Sequence, residues 1–282
     1  MAAAFSAYAL WGLSSLYFKA VNFAPATLIL GHRVIWSAVV ALVLIVIVNK
    51  AGALWRVFRN GRSLAYLAAA SICLSANWGF FIWAVNAGHA LEVSLGYFIC
   101  PLCNVLLGAL FLHERMNRRQ MAALGLVGVG VAALALGSKD VAWACVAFPT
   151  TFALYPLLRK MVAVDALVGL AVETILVAPL AILFLATRPD GGVWLDGSAA
   201  TVALLTASGP VTAIPLVLFA YGARRLRMSC LGLMQYINPT LQMAVAVLAF
   251  GETFTPIHAV TFAFIWAGLA LYSVAFGRSV AR

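Results

Sequence analysis

The amino-acid sequence predicts an all-α polytopic membrane protein, with ten transmembrane helices in two inverted five-helix repeats around a central cavity. Three observations predict it. The 282-residue chain is 65% hydrophobic and only 9% charged, with a mean hydropathy of +1.05. That balance leaves too little polar surface for a water-soluble domain. Apolar stretches of about 20 residues recur along the whole chain, the length a helix needs to cross a hydrocarbon core about 30 Å thick. Finally, 97–114 (YFICPLCNVLLGALFLHE) and 235–252 (QYINPTLQMAVAVLAFGE) share one design, 138 residues apart.

The ten spans run roughly over 3–21, 26–48, 63–86, 91–112, 119–137, 141–159, 164–187, 199–222, 229–250 and 257–277. Together they leave no room for a folded domain outside the membrane. The opening MAAAFSAYALWG lacks a basic n-region, so the first stretch reads as a retained helix and not as a signal peptide. The five cysteines (Cys73, Cys100, Cys103, Cys145 and Cys230) all fall inside spans. There Cys100 and Cys103, although spaced as CxxC, read as small packing residues before a redox or zinc pair.

Charge sets the orientation. Of eighteen basic residues, fourteen fall on one side of a ten-span chain: the loops around Lys50–Arg62, Arg115–Arg119, Arg159–Lys160 and Arg224–Arg227, and the tail with Arg278 and Arg282. Only Lys19, Lys139 and Arg188 fall on the other side, and Arg33 lies within a span. The positive-inside rule then places both termini in the cytoplasm. The net charge of +10 is thereby explained by topology, and no nucleic-acid surface is implied.

Setting Pro101 on Pro239 aligns Leu95 with Leu233, Ile99 with Ile237, Leu110 with Leu248 and Glu114 with Glu252. Tyr97, Cys100 and Asn104 fall on Gln235, Asn238 and Gln242, and the i, i+3, i+7 spacing puts each triplet on one helix face. A shift of 141 sets His32–Arg33 over Glu173–Thr174. The halves are therefore 1–138 and 139–282. Five spans per half is an odd number, so the second half enters the membrane upside down. Inverted halves are the architecture of secondary transporters, with the solute held near the midplane where they meet.

Polar groups inside a bilayer are costly and face the bundle interior or a watery cavity. On that ground the candidate cavity residues are Tyr8, Trp11 and Ser15 in span 1, and Asn77, Trp78 and Phe81 in span 3. Tyr97 and Asn104 in span 4, Tyr155 in span 6, and Gln235, Asn238 and Gln242 in span 9 complete the set. Interhelical hydrogen bonding or aromatic packing is the alternative for each. Pro101 and Pro239 are candidate helix breaks, since each removes a backbone donor. His32, Arg33 and Glu173 are the titratable groups well inside spans. They are read as a gate or proton-linked switch, or else as a fixed ion pair. Glu114 and Glu252, at span ends, suit capping or pairing with local arginines. Spans 5 and 10 carry small residues (Gly128 and Ala132; Ala263 and Ala267) and read as peripheral helices that pack on a neighbour or on a second copy of the chain, as in a homodimer.

With these stretches in view, the chain resembles the EamA-type transporters of the drug/metabolite transporter superfamily, on the RarD-like (chloramphenicol-sensitivity) branch. The resemblance rests on HRVIWS (32–37), NWGFFIWAVN (77–86), LEVSLGYFICP (91–101), FLHER (111–115), LGLMQYINPT (231–240) and TFAFIWAGLAL (261–271). It implies ten helices in two inverted repeats, helices 5 and 10 outside the central cavity, and passage or export of small metabolites across a bacterial inner membrane. Cys100 stands where the branch carries Asn before Pro, whereas Asn238 keeps that pattern.

The function expected is secondary transport of small organic or drug-like solutes by alternating access, in the exporting direction. The partners are a solute and the lipid bilayer. A non-transporting partner or sensor subunit on a duplicated bundle is the alternative. The sequence carries neither a GxxxxGK[ST] loop for ATP nor HExxH, so no cofactor, metal or enzymatic role is expected.

Overall fold

The computed structural model describes residues 2–111, 118–137, 149, 154–155, 158–159, 161–188, 198–223 and 235–280. Its helices are α1 (Ala2–Ala20), α2 (Ala26–Ile47), α3 (Ala51–Phe58), α4 (Gly61–Asn86), α5 (Ala90–Phe111), α6 (Arg118–Gly137) and α7 (Ala166–Ala186). They continue with α8 (Ala199–Thr206), α9 (Ser208–Ala223), α10 (Ile237–Leu248) and α11 (Pro256–Val280). Among the described residues there is no strand.

Local chemistry marks the helix starts. Asn60 accepts from the Ser63 N–H to open α4, Asp165 from Leu167 and Val168 to open α7, and Ser198 from Thr201 to open α8. Such caps satisfy amide groups that have no partner within the helix. Four described segments are long and apolar enough to cross a membrane: Ala26–Ile47, Gly61–Asn86, Ala166–Ala186 and Ala199–Phe219. At about 1.5 Å per residue, the 22 residues of α2 span about 33 Å.

The sequence-derived spans 1–5, 7 and 10 agree with helices to within a few residues, and span 6 lies largely outside the described residues. Span 8 differs, because it is two helices, α8 and α9, parted at Ala207. Pro210 explains the break: it has no N–H for the Thr206 carbonyl, where α8 ends, and it falls harmlessly in the first turn of α9. Pro239 likewise is the third residue of α10, which starts after the turn at Gln235 and Tyr236; the earlier part of span 9 lies outside the described residues. Pro101 does stand inside a continuous helix, α5. The short α3 was not foreseen; its Trp55 is exposed and stacks under the Arg59 guanidinium at 5.1 Å.

Of the helix pairs that bring the first half of the chain against the second, three show how they are set. The start of α2 meets the end of α7, where Gly31 packs on Leu185. In α6 and α11, Gly130 lies against Thr261 and Phe264 while Gly268 lies against Ala123 and Val127. Rising numbers on one helix thus meet falling numbers on the other, so both pairs run antiparallel. The third pair is α5 with α10, tied by Ser94 Oγ donating to the Pro239 carbonyl at 2.7 Å. The small residues of α6 and α11 divide between two faces. Gly128, Ala263 and Ala267 face outward, and the contact is built from Gly130, Gly268 and Ala123 instead.

The distribution of polarity is that of a protein solvated by lipid. Large apolar side chains stand outward on several helices: Ile72 is 70% exposed, Leu180 67% and Leu136 83%. Meanwhile His32, Ser37, Asn77, Ser94, Glu173 and Gln242 are buried. Water would favour the reverse arrangement.

Candidate functional site

The buried polar groups gather in two clusters. The first is centred on Arg33, which α2 carries inward and which is 8% exposed. Its guanidinium carbon lies over two aromatic rings, with the Phe18 ring centre at 4.9 Å and the Trp78 ring centre at 4.2 Å. Its Nε donates to Thr212 Oγ1 of α9 at 3.0 Å, and that hydroxyl donates onward to the Ser208 carbonyl at 2.9 Å. Phe81 packs edge-on against Phe18 at 5.4 Å and against Tyr97 of α5 at 6.3 Å.

Tyr97 in turn lies beside Gln242 of α10. Gln242 Nε2 donates to Asn238 Oδ1 at 3.0 Å, one helical turn back, while its buried Oε1 has no hydrogen-bond donor. Polar side chains of α2, α5, α9 and α10 thus converge with aromatic ones of α1 and α4. Gly12 lets α1 approach this closely: a Cβ there would lie 2.7 Å from Leu241 Cβ and 2.9 Å from the Asn238 carbonyl oxygen.

The second cluster centres on Glu173 of α7, which is 1% exposed. Its Oε2 accepts from the Tyr155 hydroxyl at 3.0 Å, and Arg159 Nη1 stands 3.4 Å from its Oε1. The Arg159 guanidinium lies where a Cβ would stand on Gly169, so that glycine gives it passage to the carboxylate.

Of the predicted cavity residues, Ser15, Asn77, Trp78, Phe81, Asn238 and Gln242 are buried. Tyr97 is partly buried beside them. Tyr8 is buried too, but in an aromatic group with Trp11 and Phe219, ring centres 5.7 Å apart, and that group reads as packing. Tyr155 belongs to the Glu173 cluster. Gln235 is half-buried in the turn before α10. Asn104 lies on the described backbone of α5, its side chain outside the described residues, as is Glu114.

His32 is buried on α2 beside Arg33. Arg33 and Glu173 do not pair with each other. Each is the eighth residue of its helix, and those helices are antiparallel. With Gly31 level with Leu185, Arg33 stands about ten residues from Glu173 along the bundle, or about 15 Å.

Sequence reading missed Phe18, Thr212 and Arg159. Phe18 shares a face with Ser15, one turn earlier, and Arg159 had been counted as a loop cation. Capping was foreseen for Glu252, though not the helix that it caps. Its two oxygens accept from the Ala90 and Leu91 amides at 2.9 and 2.8 Å, closing the start of α5. Burial raises this carboxyl above its ordinary value, against the pull of those two amides; Glu92 adds to the rise and His89 opposes it.

Lipid-facing apolar helices around a buried polar centre define a helical polytopic membrane protein. The EamA-like transporter family model matches residues 1–136. An "Uncharacterized transporter" of Vibrio cholerae serotype O1 is 42% identical over 276 residues, covering 96% of this chain and 90% of that one. "Protein RarD" of Escherichia coli K12 is 41% identical over 273 residues, covering 95% and 92%. "Chloramphenicol-sensitive protein RarD" of Pseudomonas aeruginosa is 32% identical over 247 residues, covering 86% and 83%. A solved crystal structure, 18% identical, superposes with a TM-score of 0.64 over 97% of this chain and 96% of its own, which shows the shared fold. The chain belongs to the EamA-like transporter family, among its RarD-like members, and is a membrane transporter.

Proposed function

We propose that the protein is a secondary transporter that exports small organic solutes across the bacterial inner membrane. It works by alternating access between two inverted five-helix halves, 1–138 and 139–282, with both termini cytoplasmic. The observation that carries this reading is the convergence of buried polar side chains from both halves. Arg33 and Tyr97 of the first half meet Thr212 and Gln242 of the second in the interior of an apolar bundle. Intramembrane polar groups are costly and are found where a bundle interior or solute path uses them.

The helix pairing supports the inverted halves. In an inverted repeat, equivalent helices run in opposite directions across the membrane. The pairs α2–α7 and α6–α11 are equivalent in the proposed repeat and are antiparallel. The neighbours α2–α9 and α4–α7 are likewise exchanged by it. The outward small-residue faces of α6 and α11, with Gly128, Ala263 and Ala267, are the proposed contact for a second copy of the chain.

Flux is the test. The purified protein is reconstituted in liposomes, and counterflow of labelled amino acids, aromatic acids and chloramphenicol is compared with empty liposomes. Protein-dependent, saturable counterflow of at least one solute is expected. Tight binding of such solutes without any movement would overturn the transport reading in favour of a sensor.

A further inference from the structure

We infer that Arg33 is the docking point for a carboxylate, and that the transported solutes are organic monocarboxylates held by that group. The inference rests on the transporter reading and names its substrate class.

Arg33 is a buried cation without a counter-charge: among the described residues no carboxylate lies within ion-pair distance of it. Glu173, the carboxylate expected to pair with it inside the spans, is committed to Arg159 and Tyr155. The aromatic rings of Phe18 and Trp78 offset part of the desolvation, since a guanidinium over a ring face is attracted by its quadrupole. They do not neutralise the charge. An unpaired ion in a low-dielectric interior is disfavoured unless a partner completes it.

The geometry then selects the partner. The Phe18 and Trp78 rings both lie within 5 Å of the guanidinium carbon, and its Nε edge is taken by Thr212. What remains is the edge bearing the two terminal nitrogens, and the buried Nη1 there has no hydrogen-bond acceptor. That edge presents parallel N–H donors in the spacing that a carboxylate accepts through both oxygens. One cation balances one negative charge, so a carboxylate fits better than a phosphate dianion, which would leave a charge uncompensated. Aromatic side chains of three helices (Phe18, Trp78 and Phe81, and Tyr97) border the position and favour an apolar or aromatic remainder.

The experiment compares acids with their own amides. A panel of the standard amino acids, 3-phenylpropionate and indole-3-acetate, each beside its primary amide, is screened on wild-type protein by melting shift in detergent and by counterflow in liposomes. The acids are expected to bind about tenfold or more tighter than the amides, the scale of a charge-assisted hydrogen-bonded pair. Arg33→Gln should bring the acid-to-amide ratio near one, Arg33→Lys should keep part of it, and Thr212→Val, which retains the charge, should keep most. Because the wild-type ratio needs no variant, a misfolded Arg33→Gln does not shield the inference. Counterflow of amides or neutral solutes with acids excluded would sink the carboxylate site and leave transport standing. No movement of any compound, neutral or charged, would overturn both.

Discussion

Breaking the Glu173–Arg159 pair should cost more stability than removing it whole. In Glu173→Gln the shape survives and the charge does not. Tyr155 keeps an acceptor, but Arg159, 15% exposed in its side chain, is left with the Val164 and Asp165 carbonyls at 3.4 Å. Removing one partner of a buried ion pair costs about 3–5 kcal/mol. The residual exposure of Arg159 and its two carbonyls point to the lower end, about 3 kcal/mol. For a chain of this size that corresponds to a fall of roughly 6–12 °C in melting midpoint. Arg159→Met with Glu173→Gln removes both charges, and the double variant should be more stable than Glu173→Gln alone. The assay is thermal unfolding of the four proteins of the cycle in one detergent, followed by near-ultraviolet dichroism. Strictly additive losses would show that Arg159 and Glu173 do not act as a pair. Flux provides a second reading: Glu173→Gln should leave the pH profile of transport unchanged, and a flattened profile would restore Glu173 as a proton carrier.

Gly12→Val puts a Cβ within 3 Å of both a side chain and a backbone carbonyl of α10, and should cost about 1–3 kcal/mol as overpacking. Gly128→Ala, with no atom within 4 Å of its Cβ, is the control and should not lower the melting midpoint. Glu252 and Asp165 should give opposite pH signatures in melting curves. The Glu252 carboxyl is raised, so its contribution is present below the ordinary carboxylate pKa and is lost as pH rises through the raised value; the advantage of wild type over Glu252→Gln should shrink with rising pH. Burial pushes the Asp165 carboxyl up, but Lys50 at 2.8 Å and the Val168 and Leu167 amides outweigh it and leave it lowered. Its contribution is present above the ordinary value and lost as pH falls through the lowered one, so the gap between wild type and Asp165→Asn should close in acid.

Much of the helix layout was legible because hydropathy reports lipid contact directly, and ends such as Pro25, Asn60 and Ser198 carry caps or punctuation. Interruptions were harder to read. Pro210 and Pro239 look identical in sequence to Pro179, which sits inside α7. A first-turn proline and an interior one differ only in where the helix begins, and tertiary packing sets that. Spacing leaves the direction faced by Gly128 open for a related reason. In α6, glycine and alanine occur on every face, so spacing alone cannot say which face meets α11.

The site was legible by residue type and not by partnership. A polar group in an apolar span announces burial, and His32, Arg33, Asn77, Glu173 and Gln242 are all buried. Partners depend on register across helices far apart in sequence, such as the 179 positions between Arg33 and Thr212. Phe18 carries no polar signal at all, yet it forms one wall of the guanidinium slot.

The two buried ions reward comparison because each sits two turns into its helix and they are satisfied differently. Arg33 and Glu173 are each eighth in antiparallel helices that pack on each other. Glu173 has a cation and a phenol, so its charge is met within the chain. Arg33 has two rings and one hydroxyl, which orient it without neutralising it. If both groups served stability alone, the electrostatic penalty at Arg33 would be relieved by an apolar residue of similar size. A cation held by two rings and a hydroxyl, with its Nη1 lacking an acceptor, is instead preorganised for an anion, the arrangement that lowers the entropy cost of binding. On this reasoning Arg33→Met should raise the melting midpoint of the solute-free protein while abolishing the shift produced by carboxylates, and a loss of stability in the solute-free state would count against the open-edge argument.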